Sequence, residues 1–126
     1  KRKIKPIITT LDLVEIIKNS VPKSYKYRKI HPATKIFQAL RIFINQELDN
    51  LKIGLEEGFQ VLEKGGRMVV ISFHSLEDRI VKNFFKEVKN TGLAAILTKK
   101  PITASALEIK ENPRSRSACL RVLEKL

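Results

Sequence analysis

The chain has 126 residues, 43% hydrophobic and 30% charged, which suits one ordered domain or part of a larger one and excludes general disorder. Lys and Arg number 25 against 13 Asp and Glu, so the formal charge of +12 calls for a polyanionic partner, either nucleic acid or an anionic surface. One cysteine, Cys119, excludes an intrachain disulfide framework and a paired-cysteine zinc site, and no apolar run approaches the roughly 20 residues of a membrane-spanning helix.

The chain opens on Lys1 with no signal-peptide pattern, as expected of a sequence that starts partway through a longer protein. Its charge is segmented: +7 over residues 1–32, −1 over 33–64 and +6 over 65–126. Thr9 and Thr10 are placed to cap a helix carrying Leu11, Val14, Ile17 and Val21, with Asp12 and Glu15 near its positive end and Pro22 closing it. Lys23 to Lys29 follows as a basic loop with two tyrosines.

His31-Pro32 marks the next boundary, because a residue before proline is biased away from helix. From Ala33 one long helix is expected, its stripe running through Ile36, Phe37, Leu40, Ile44, Leu48 and Leu51. A second helical pattern carries Leu55, Phe59 and Leu62, and Gly65-Gly66 stops it.

Met68 to Phe73 is a continuous apolar run, which predicts a strand buried on both faces, as in a parallel sheet between helices. Ser75 is placed to cap the next helix, with Glu77 and Asp78 in its first turn and Ile80, Val81, Phe84, Phe85 and Val88 on its buried face. A short strand is expected around 94–98, a turn-rich stretch with room for one short helical turn over 101–113 and a final strand over 117–126. The order implies an open α/β sheet, the second half of a doubly wound domain. The helix near Leu11 lies outside that alternation and reads as a separate helical module.

In such sheets, ligands bind beyond the carboxyl ends of the strands. Here that edge is Ser72-Phe73-His74-Ser75. His74 is placed to contact a ligand or exchange a proton, and equally to serve as a structural histidine in a strand-to-helix turn. Ser75 to Arg79 is charge-dense, and helix capping with a salt bridge explains it better than acid–base catalysis. Two histidines and one distant cysteine make no convincing metal set, and Gly65-Gly66 precedes a strand, unlike a phosphate-binding loop. Lys23, Tyr25, Lys26, Tyr27, Arg28 and Lys29 have the composition of an RNA contact, cations for phosphates and rings for bases, or of a solvated linker. Arg114 and Arg116, in Asn112-Pro113-Arg114-Ser115-Arg116-Ser117, suit bidentate phosphate binding or a plain surface turn.

His31-Pro32-Ala33-Thr34-Lys35-Ile36-Phe37-Gln38-Ala39-Leu40-Arg41-Ile42, with Asn45-Gln46-Glu47-Leu48 after it, opens a longer pattern. Gly65-Gly66-Arg67, Ile71-Ser72-Phe73-His74-Ser75-Leu76-Glu77-Asp78-Arg79-Ile80-Val81-Lys82, Lys99-Lys100-Pro101-Ile102 and the Asn112 to Ala118 stretch complete it. In this order the motifs closely resemble the MraW/RsmH family of ribosomal small-subunit RNA (cytosine-N4) methyltransferases, over nearly the whole chain.

The resemblance implies a Rossmann-like methyltransferase domain with an inserted helical module. Residues 1–30 would be the end of that insert, and 31–126 the C-terminal half of the catalytic domain. It implies transfer of a methyl group from S-adenosylmethionine to N4 of a cytidine in the decoding region of 16S rRNA, in the cytoplasm, with ribosomal small-subunit RNA as partner, no membrane and a homodimer left open. The family's glycine-rich cofactor loop and catalytic loop lie upstream of these residues, so the resemblance implies no cofactor-binding residue here, a catalytic set upstream of Lys1, and a piece that is inactive alone. The matching positions His31, Thr34, Gln38, Arg41, Asn45, His74, Ser75, Asp78, Arg79, Asn112, Arg114 and Arg116 are expected to bind RNA or shape the active-site wall. His74 and Ser75 are expected on the cytidine side. Two other readings of the chain are a stand-alone basic RNA-binding module and a structural remnant of the fold whose exposed sheet edge promotes association.

Overall fold

Thr9 starts the first helix, α1 (Thr10–Ser20), through a reciprocal box. Its hydroxyl accepts from the Asp12 amide at 3.1 Å, and the Asp12 carboxylate accepts from the Thr9 amide at 2.9 Å. The structure, a computed structural model, describes residues 6–26 and 30–126, with only the backbone of Lys23 and Lys26. Two packing units emerge, residues 1–45 and 46–126.

In the first unit, a single turn of helix, α2 (Lys23–Lys26), stands where the basic loop was expected to begin. Tyr27, Arg28 and Lys29 lie outside the described residues. In α3 (Pro32–Ile44), Nδ1 of His31 accepts from the Ala33 amide at 3.2 Å, and proline takes a first-turn position where its missing N–H costs nothing. Ala33 is buried, and α1 packs against α3.

The single long helix expected from Ala33 through Leu51 does not form. Gln46 adopts φ 50°, ψ 37°, in the left-handed region, and this interrupts the helical path before α4 (Glu47–Val61). The apolar stripe is therefore cut, and Ile36, Leu40 and Ile44 stay exposed.

In the second unit, α4 is followed by β1 (Arg67–Ser72), α5 (Ser75–Asn90), β2 (Ala94–Ile96), β3 (Ile102–Thr103), α6 (Ala106–Glu111), a 3-10 turn (Pro113–Ser117) and β4 (Cys119–Lys125). The strand β4 lies between β1 and β2, and β3 pairs with the β2 side of β4. Its register runs from Arg67 opposite Glu124 to Ser72 opposite Cys119, and from Ala94 opposite Lys125 to Ile96 opposite Leu123.

Two expectations are corrected here. The ladders among the described residues are antiparallel, because β4 inserts between two strands that run the same way and so keeps them from pairing. The apolar run of β1 is not buried on both faces either. Met68 and Val70 pack on the core, whereas Val69 and Ile71 are 57% and 53% exposed.

The core explains that alternation. Leu55 and Phe59 of α4 and Val81, Phe85 and Val88 of α5 close over one face of the sheet, against Ala94 and Leu123. Lys125 fastens the end of α4. Its Nζ donates to the carbonyl oxygens of Phe59, Gln60 and Leu62 at 3.0, 3.2 and 2.7 Å and sits 4.9 Å from the centre of the Phe59 ring. These are carbonyls that a helix end otherwise leaves without partners, at its negative pole. Lys125→Met keeps the stem and removes the three donors. It is expected to cost about 2 kcal/mol in urea denaturation, the scale of charge-assisted hydrogen bonds.

Candidate functional site

Ser72 ends β1 almost fully buried, and its hydroxyl donates to the Cys119 carbonyl at 3.4 Å. The chain then turns through Phe73 and His74 into α5. Sequence reasoning favoured Ser75 as the cap, but His74 fills that position and Ser75 is the exposed first residue of the helix. The reason is a reciprocal box: Nδ1 of His74 accepts from the Glu77 amide at 3.3 Å, while Oε2 of Glu77 accepts from the amides of Phe73 and His74 at 2.8 and 3.1 Å.

That hydrogen bond also assigns the tautomer. An Nδ1 that accepts carries no proton, so the neutral ring holds its proton on Nε2. Nε2 is shut off from solvent, 3.3 Å from Oε1 of Glu77 and without a hydrogen-bond partner among the described residues. His74 is thus fixed as a ring that presents N–H, not a lone pair, on its far side.

Ligand atoms of Glu47, His74 and Glu77 come within 4.8 Å of one another. A metal at Nε2 would need that nitrogen deprotonated, with Nδ1 donating to a second-shell acceptor. Nδ1 accepts instead, so in this cluster the Glu47 and Glu77 carboxylates lie around an imidazole N–H.

Asp78 is held by Arg121, with Nε to Oδ1 at 2.7 Å and Nη2 to Oδ2 at 2.9 Å, a two-pronged pair between the first turn of α5 and the middle of β4. These hydrogen bonds hold the Asp78 carboxyl below its usual pKa against the opposing effect of partial burial, and Asp78 raises Arg121 in return. Arg121 is 7% exposed and faces the helices from β4. Sequence reasoning missed it, since an arginine in an alternating strand reads as a solvent-facing position. Asp78, an expected wall residue, spends both carboxylate oxygens on it.

The register brings two candidate groups to one end of the sheet. Ser72 pairs with Cys119, and the 3-10 turn ends just before Cys119, so Asn112 to Ser117 lies at the same edge as Phe73 to Arg79. Oδ1 of Asn112 accepts from the Arg114 amide at 3.3 Å, and the buried Ser115 hydroxyl donates to the Asn112 carbonyl at 2.8 Å. With the turn pinned on Ser115, Arg114 and Arg116 project into solvent on either side of it. Phe73, Ser75 and Arg79 are exposed at this edge as well.

The remaining candidates belong to the first unit. His31 caps α3, Thr34 is exposed, Gln38 is half-buried, and Arg41 and Asn45 lie exposed toward the end of that helix, each already holding an interaction. Tyr25 is half-buried and likewise engaged.

Sequence comparison extends the pattern over the whole chain. The model of the MraW methylase family matches residues 1–126. The chain belongs to the MraW methylase family. It is 54% identical to the ribosomal RNA small subunit methyltransferase H of Persephonella marina over 99% of the chain and 43% of that protein. It is 56% identical to the protein of the same name from Coprothermobacter proteolyticus, over 98% of the chain and 40% of that relative. This stretch of MraW methylase sequence therefore spans less than half the length of the relatives it matches.

The β1–α5 turn, Ser72-Phe73-His74, contains no glycine, and Gly65-Gly66 and Gly92 precede strands rather than follow them. Among the described residues no strand-to-helix turn carries a glycine. No helix among them is long and apolar enough to cross a membrane.

Proposed function

We propose that the chain is the C-terminal part of an S-adenosylmethionine-dependent methyltransferase that modifies N4 of a cytidine in small-subunit ribosomal RNA. The observation that carries this reading is the family match over all 126 residues, joined to a strand-to-helix turn of defined geometry at the carboxyl end of β1. On this reading residues 1–30 end an inserted helical module, and 31–126 complete a Rossmann-like domain whose earlier strands hold the cofactor. The same reading expects a cytoplasmic enzyme, with a homodimer open to test.

The residues of this chain then position and do not themselves move the methyl group. The His74–Glu77 box fixes the turn, so that exposed Phe73 and Ser75 form one wall of the cleft. His74 keeps its proton on Nε2 and so does not serve as a base for the attacking amine. Arg114 and Arg116, on the pinned turn at the same edge, hold RNA phosphates. Alignment of a flipped or single-stranded cytidine with the methyl donor is where such a wall contributes to rate. The basic segment Lys23, Tyr25, Lys26, Tyr27, Arg28 and Lys29, together with His31, Thr34, Gln38, Arg41 and Asn45, is assigned to RNA on the same basis.

The test is methyl transfer from labelled S-adenosylmethionine to small-subunit rRNA by the complete enzyme, in wild type, His74→Ala and His74→Asn. His74→Ala is expected to lose about 1 kcal/mol of stability with the cap and at least tenfold in methylation. Asn is a good cap, so His74→Asn recovers the stability. If it recovers methylation too, His74 acts by holding the turn; if not, the imidazole shapes the cleft beyond its role as a cap. Unchanged methylation in His74→Ala would remove this turn from the cleft, and a wild type that leaves rRNA unmodified would overturn the function.

The glycine-free turn also favours a second reading for the chain taken alone, a basic RNA-binding module. Calorimetry separates the two. RNA binding by the isolated chain with no heat from S-adenosylmethionine fits both the module and a fragment, and methylation after addition of the remaining half selects the enzyme.

A further inference from the structure

The outer flank of α5 carries a groove that no part of the reading above uses. Lys86, Lys89 and Asn90 of α5 form one side, and Ile96 of β2 and Lys99 of the following loop form the other, around a volume of ≈ 430 Å³. The three lysines are exposed and form no ion pair among the described residues. Lys86 and Lys89, one helical turn apart, repel each other, and the nearest acid of that helix segment, Glu87, lines a different groove, between α4 and α5. Like charges converging on a concavity without a carboxylate cost stability that a polyanion would relieve. A flat anionic surface reaches the rim of such a groove, whereas a strand of phosphodiesters reaches into it.

We propose that this groove binds the phosphate backbone of the RNA substrate at a distance from the reacting base. The inference rests on the RNA-substrate reading and deepens it. Lys86 lies 11 positions along α5 from Ser75, about 16 Å at 1.5 Å per residue. The groove is thus on the flank of the unit and the turn is at its end, so a contact here holds RNA several nucleotides away from the target. Ile96 gives the groove an apolar floor, and Asn90 adds an amide that donates to phosphate oxygens.

The experiment compares wild type with Lys86→Gln/Lys89→Gln/Lys99→Gln in the complete enzyme. A control variant, Lys52→Gln/Lys64→Gln/Lys110→Gln, removes the same charge elsewhere. Thermal melting verifies that each is folded. Binding to a fluorescent single-stranded RNA oligonucleotide is followed by anisotropy across a salt series, and methylation kinetics are measured on small-subunit rRNA.

Three lost phosphate contacts should reduce the salt slope of the groove variant by about 2 and weaken binding on the order of 100-fold near 0.1 M salt. KM should rise with kcat unchanged, while the control keeps the wild-type slope. A groove variant with the wild-type slope, or a control that loses as much, overturns the groove and leaves the function standing. A wild type that neither binds nor methylates RNA overturns both. Loss of binding to phosphatidylglycerol vesicles with RNA binding intact would assign the lysines to a membrane surface and overturn the proposal.

Discussion

Asp78→Ala is expected to destabilise the chain by about 3 kcal/mol in urea denaturation, because it leaves the Arg121 guanidinium buried without its counter-charge. The Arg121 side chain is only 9% exposed and spends two of its donors on Asp78, at 2.7 and 2.9 Å. Arg121→Met should cost less, since the Asp78 side chain left behind is 23% exposed and hydrates or takes up a proton. The double variant Asp78→Ala/Arg121→Met should recover most of the loss, as apolar replacement of a buried pair often does. A single-variant loss below about 1 kcal/mol would put the pair in the class of idle surface bridges, such as Arg67 with Glu124.

The pH dependence follows from the direction of the shift. A carboxyl whose folded pKa is depressed contributes stability that is complete above its unfolded value and is lost as pH falls through the folded one. For Asp78 that loss sets in below about pH 3.8, its ordinary value. Arg121 is raised, and its contribution is complete below its unfolded pKa, so it adds no slope at neutral or acid pH. Wild type should therefore lose stability more steeply in acid than Asp78→Asn, and equal slopes would mean that the pair does not form in solution.

Local signals in the sequence were legible where they depend on near neighbours. The Thr9 cap, the proline boundary at His31-Pro32 and the apolar face of α5 with Val81, Phe85 and Val88 are all within-segment patterns, and each stands in the structure, whereas the helix expected to run up to Gly65-Gly66 already ends at Val61, with Leu62 extended. What failed depends on distant partners. The run Met68 to Phe73 looks the same whether one or two layers cover it, and only the packing of α4 and α5 decides that Val70 is covered and Val69 is not. The antiparallel insertion of β4 leaves no mark in β1 or β2. A one-residue change at Gln46, from right-handed to left-handed backbone, cut a stripe that periodicity carried straight through.

The site divides in the same way. His74 was found because histidine at a strand end is conspicuous, but its tautomer depends on the Glu77 amide. Asp78 was found and Arg121 was not, since 43 residues separate the partners. Arg114 and Arg116 were read as a separate group until the Ser72–Cys119 register set them at the edge of the His74 turn. The lysines of the α5 groove escaped notice because only Lys86 and Lys89 share a helix, and Lys99 arrives from the loop after β2.

The second large effect tests the one-sided sheet directly. Phe85 is 1% exposed at the centre of the α5 face, against Leu123 at 0% and the α4 residues Leu55 and Phe59. Phe85→Ala should cost about 3–5 kcal/mol, the transfer term plus an unfilled cavity. Ile71→Lys places a charge on the opposite face, where the native side chain is already 53% exposed. In this chain it should change stability by less than about 0.5 kcal/mol, as substitutions away from packed features do. A sheet covered on both faces would reverse the second expectation, since a lysine buried among apolar side chains without a partner is heavily penalised. Measured in the complete enzyme, the same Ile71→Lys variant becomes a probe of the proposed Rossmann-like arrangement. Earlier strands and their helices would cover Val69 and Ile71, and the substitution that the chain tolerates alone should then cost several kcal/mol. Equal tolerance in both contexts would leave that face of β1 open to solvent and count against residues 31–126 completing a doubly wound sheet.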